Sequence, residues 1–144
     1  MANHEKLRAV SLNIDELEAG LPNGLHDALL RTFSSDSAAR RAEFILDVWV
    51  GDLHGDTMVE RERRRPARLE LLGLAYLVVD GRDPRYPGTE SSPLQIDTCD
   101  ADDDPERNRQ VPRDGFAGRF FVTEWNAFIH FAAVEAHLTW IDVN

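Results

Sequence analysis

The 144-residue sequence holds a single cysteine, Cys99, so no intramolecular disulfide can form and nothing points to a secreted, stapled fold. No apolar run approaches the roughly 20 residues that a membrane-spanning helix requires. The first residues, Met1 to Ile14, lack the apolar stretch of a signal peptide. The cytoplasm is therefore the expected location, with no membrane partner. Positive charge is scarce: 16 Lys and Arg stand against 26 Asp and Glu, for a net charge of −10. A phosphate backbone repels such a surface unless its basic residues gather on one face, so nucleic acid is not an expected partner. Acidity of this degree instead speeds encounter with a basic protein. Missing too are a Gly-x-Ser-x-Gly nucleophile turn, a glycine-rich phosphate loop, heptads and internal repeats. No catalytic residue is assigned.

What is there belongs to an ordinary globule, 42% hydrophobic and 29% charged. The length fits one domain, residues 1–144, and a chain of this size hides roughly 68–70% of its unfolded surface, enough for a core without metal or disulfide. Residues 1–20 read as a peripheral, weakly helical segment, with Leu7, Val10, Ile14 and Leu17 on one stripe and Asn13 capping ahead of Glu16. Asn23-Gly24 reads as a turn and residues 28–34 as a strand. Ala42, Phe44, Leu46, Val48 and Val50 alternate with Glu43, Ile45, Asp47 and Trp49, the pattern of a strand that forms a hairpin with its predecessor. Asp47 is out of place on that half-apolar face unless it meets solvent or an arginine.

Residues 53–66 read as a solvated connection rich in arginine, and Ala67 to Val79 as one central strand with Gly73 marking a bulge or close contact. Residues 80–93 read as a loop, 94–99 as a short strand, and 100–115 as a disordered acidic-then-basic loop. Strands at 119–122 and 127–133 flank a Glu124-Trp125-Asn126 turn, and 137–141 closes the chain. Trp125, Phe128, Ile129, Ala132 and Ala136 also match helical spacing, so an α+β fold with a helix near 124–136 is the alternative. The expected fold is mainly β: an antiparallel sandwich or barrel with a short N-terminal helix.

Three segments offer donors for chemistry. Gly51-Asp52-Leu53-His54-Gly55 follows a strand and resembles the first metal-binding motif of calcineurin-like metallophosphatases, a resemblance confined to this stretch. Carboxylates and an imidazole suit a divalent metal that activates water. The family's Gly-Asp-x-x-Asp and Gly-Asn-His motifs are missing, so the expectation is a surface turn and no cofactor; the alternative is a metal-dependent hydrolase using Asp52, His54 and Asp56. His26-Asp27 resembles the paired ligands of HD-type phosphohydrolases, but adjacent side chains on a strand point to opposite faces. Asp100-x-Asp102-x-Asp104 opens like a calcium loop, yet Pro105 replaces the required glycine and Val111 the bidentate glutamate.

Asn23-Gly24-Leu25-His26-Asp27-Ala28, Leu46-Asp47-Val48-Trp49-Val50-Gly51-Asp52 and Trp125-Asn126-Ala127-Phe128-Ile129-His130 together resemble a family of small bacterial proteins of unknown function. That resemblance implies no activity and no catalytic residue. In size and charge the chain also resembles toxin-neutralising immunity proteins. The expectation is a non-catalytic, inhibitor-like binding module with a basic protein partner, its candidate binding residues His26, Asp27, Trp125, Asn126 and His130.

Overall fold

The computed structural model describes residues 13–85, 93–101 and 104–141; Leu7, Val10, Asp102 and most of the loop beyond Arg85 lie outside these. Helix α1, Ile14–Ala19, starts where Asn13 Oδ1 accepts the Glu16 amide at 2.8 Å, and ends at Gly20. Its Ile14 and Leu17 are buried in the core.

Strands β1 (Pro22–Leu25), β2 (Leu29–Asp36), β3 (Arg41–Trp49), β4 (Arg64–Leu72), β5 (Tyr76–Val79), β6 (Leu94–Asp100), β7 (Phe116–Val122), β8 (Ala127–Ala133) and β9 (Glu135–Trp140) dominate the chain. Eight of them form one antiparallel sheet in the order β5-β8-β7-β6-β2-β3-β4-β9, which is not closed into a barrel. The helical alternative near 124–136 is overturned: only Thr123–Trp125 takes a single 3-10 turn, and β8 and β9 pair along their whole lengths. Strand suits these residues because Phe131 lies across the sheet from Gly118, whose missing side chain leaves room for the ring.

The expected hairpin is β2 and β3, pairing Phe33 with Phe44 and Asp36 with Arg41. Ala42, Phe44, Leu46 and Val48 are all buried, so the alternation in β3 marks its core face. The apolar stretch from Ala67 to Val79 is not one central strand. At Gly73, with φ 64°, it turns a corner: β4 pairs with β9 and β5 with β8, and β5 is an edge strand. Hydrogen bonds from Val134 N to Leu72 O (2.9 Å) and Ala75 N to Ala132 O (2.8 Å) carry the ladder through the bend.

This corner folds one half of the sheet over the other. Phe44 of β3 meets Phe120 of β7 at 5.3 Å and Phe131 of β8 at 6.4 Å between ring centroids, so both halves share one core. On the outer face, Arg31 reaches Asp47 at 2.6 Å, Arg41 pairs with Glu70, and Arg68 lies 3.4 Å from Glu43. Asp47 is thus accounted for by an arginine on the neighbouring strand. Two short helices, α2 (Met58–Arg61) and α3 (Pro105–Asn108), interrupt the connections.

Candidate functional site

β3 and β4 are bridged by an excursion from Gly51 to Arg63. Val50 N donates to Arg63 O at 2.8 Å and Asp52 N to Glu60 O at 2.9 Å, so its two limbs stay paired. Glycine is needed at 51, where a Cβ would stand 2.1 Å from the Arg61 carbonyl oxygen. Asp52 Oδ1 accepts the His54 amide at 2.8 Å, and Glu60 Oε2 accepts the Asp56 amide at 3.0 Å. Thr57 caps α2 by accepting the Glu60 amide at 3.2 Å. Asp52, His54 and Asp56 are all exposed, and the Asp52 carboxylate serves its own turn. They do not gather their donor atoms around one point.

The same excursion holds its apolar side chains out in solvent. Leu53 is 75%, Met58 65% and Val59 79% exposed. Leu53 and Met58 line a groove of about 390 Å³ together with Arg61 and Glu62 of the same excursion and with Pro22, Asn23, Asp27 and Trp49. Pro22 and Asn23 open β1; Asp27 sits in the turn to β2.

That turn changes the geometry expected of His26-Asp27. Asp27 takes φ 64°, so the two side chains do not diverge as they would on a strand: His26 Nε2 lies 3.6 Å from Asp27 Oδ2. His26 Nδ1 hydrogen-bonds the Asp97 carbonyl oxygen, and Gln95 Nε2 donates to Asp27 Oδ1 at 2.8 Å. Gln95 and Asp97, both on β6, escaped the sequence reading. Their two-residue spacing around buried Ile96 is a signal for one polar face, but not for what that face meets.

Trp125, Asn126 and His130 gather at the 80–85 loop. Trp125 is buried, not at the surface as its polar neighbours suggest; it packs edge-on to Phe33 at 6.3 Å, with Arg82 4.9 Å above its ring. Asn126, at φ 46°, donates to Asp83 Oδ2 at 3.2 Å. Arg85 and Asn126 together hold the Asp83 carboxyl down to about 2. His130 is buried, with Nε2 3.0 Å from Asp80 Oδ2. These residues tie the 80–85 loop to β8, helped by backbone bonds from Asp80 N to Phe128 O and Asp83 N to Trp125 O, each 3.0 Å.

No family model, curated protein or solved structure matches this chain. The chemistry is therefore judged on the residues alone. Cys99 is a poor nucleophile, because burial and the neighbouring Glu18 push its thiol well up from the usual range. Among the described residues, one group of three metal-capable side chains converges: His26, Asp27 and Asp97.

Proposed function

We propose that this protein is a non-catalytic binding module that grips a basic protein partner, as an inhibitor or immunity protein does. The observation that carries the reading is the groove beside the 51–63 excursion, lined by exposed Leu53 and Met58, with exposed Val59 next in the chain. Apolar side chains grouped in this way are characteristic of surfaces that become covered on association. The charge of the excursion fits a cationic partner: from Gly51 to Arg63 four acids, Asp52, Asp56, Glu60 and Glu62, outnumber two arginines, Arg61 and Arg63. The apolar residues supply affinity and the acids supply rate and orientation.

A L53D/M58D/V59D variant tests this without touching a buried residue. Immobilised parent protein is expected to retain at least one basic protein in low salt, and the triple variant to lose it. Titration of that protein should then show affinity weakened at least a hundredfold by the variant and association slowed by salt. Recovery of the same proteins by parent and variant would refute the assignment of this face.

A further inference from the structure

We propose that His26, Asp27 and Asp97 form a site for one divalent transition-metal cation. The inference is independent of the partner groove, although Asp27 belongs to both. Its first support is convergence. One donor atom from each residue lies within 4.8 Å of the other two, and the three come from two places far apart in the chain: His26 and Asp27 in the turn after β1, and Asp97 in the middle of β6. Donors that share an ion at bond lengths of about 2.0–2.2 Å stand roughly 3–4 Å apart. The 3.6 Å between His26 Nε2 and Asp27 Oδ2 already meets that spacing. Asp97 Oδ1 stands 3.9 Å from Nδ1, the other ring nitrogen, so the Asp97 carboxylate must turn toward Nε2 to join the set.

The second support is how the donors are held. With His26 Nδ1 donating to the Asp97 carbonyl, the lone pair resides on Nε2, the atom beside the Asp27 carboxylate. Metal-binding histidines are commonly fixed this way, by a backbone carbonyl on the far ring nitrogen. Gln95 holds Asp27 Oδ1 and leaves Oδ2 toward the imidazole. Arg64 Nε donates to the Asp27 backbone carbonyl at 3.3 Å.

The third is chemical. One imidazole with two carboxylates suits zinc or manganese, whereas an all-oxygen set would favour calcium or magnesium. The His26, Asp27 and Asp97 side chains are 45%, 37% and 50% exposed, so water can fill the remaining positions. The bound ion would clamp the β1–β2 turn to β6.

The experiment is titration of chelator-stripped full-length protein with zinc, manganese and calcium in turn, followed by calorimetry and thermal unfolding. Zinc or manganese is expected to bind one per chain and to raise the melting temperature by roughly 9 °C at a hundredfold excess over Kd. H26Q and D97N should each weaken that binding about tenfold or more, while D56N, in the acidic excursion, should leave it unchanged. D97N keeps the shape of an exposed side chain and decides the matter if H26Q does not fold. Absence of saturable binding, equal binding of calcium, binding unchanged in D97N, or an equal loss in D56N would each overturn the proposal.

Discussion

At the scale of single residues, Glu18 shows how one side chain can serve packing and oppose it. Its Oε2 accepts the Leu25 amide at 2.9 Å and fills the space that a Cβ on Gly24 would enter, 2.6 Å away. Burial raises its pKa above 4.5, aided by Asp15 and Asp100 and only partly offset by the Leu25 amide and the Cys99 thiol. The folded chain thus holds this proton more tightly than the unfolded one. The stabilisation this gives is complete below the unfolded value and is lost as pH rises through the raised folded value. Glu18→Gln keeps an oxygen for Leu25 and removes the ionisation. The variant should therefore gain stability over the parent as pH goes from 4 to 7, measured by urea midpoints at each pH. A difference that does not change with pH would mean that Glu18 is not strained by its charge.

At the scale of elements, the corner at Gly73 decides whether the sheet can fold over itself. A side chain there meets two obstacles: the left-handed φ of 64°, and Val134, whose Cγ2 would lie 2.7 Å from a new Cβ. Gly73→Ala should cost about 2 kcal/mol or more, since a left-handed backbone alone costs roughly 1–2 kcal/mol outside glycine. Adding Val134→Ala relieves the contact but not the backbone term, so the double variant should recover only part of the loss. The urea midpoint should fall with its slope unchanged. A neutral Gly73→Ala would show that the bend tolerates other geometry.

The same corner marks where the sequence stops being legible. In β3, period-two alternation puts Ala42, Phe44, Leu46 and Val48 on one face, and a strand with one buried face needs no further information. Between Ala67 and Val79 the residues next to Gly73 on both sides, Leu71, Leu72, Leu74 and Ala75, are apolar, and nothing local says that the pairing passes from β9 to β8 there. That is fixed by the opposite bend at Val134, some 60 residues on. The alanines of β8 looked helical because their value in a strand depends on the large rings packed around them. The candidate cation donors divide in the same way. The adjacency of His26 and Asp27 was visible; the left-handed turn that brings them together, and Asp97 across from them, are tertiary facts.

For the whole molecule, two electrostatic effects compete. Ion pairs such as Arg31–Asp47, Arg41–Glu70 and Arg68–Glu43 tie neighbouring strands on the outer face. Each is worth little, since exposed pairs contribute about 0–1 kcal/mol. Against them stands the self-repulsion of a net charge of −10 spread over the chain. Salt acts on the two unequally. At 0.1 M the Debye length is about 10 Å, so repulsion between distant acids is screened while partners in contact lie well inside that length. Repulsion should therefore be what salt removes. The melting temperature is expected to rise by roughly 2–4 °C, corresponding to about 1 kcal/mol, as sodium chloride goes from low to near-physiological concentration. A fall over the same range would mean that the strand-to-strand pairs outweigh the excess charge. In that case the acidity would not be a cost carried by the fold, and the case that it is kept for a cationic partner would lose its thermodynamic footing.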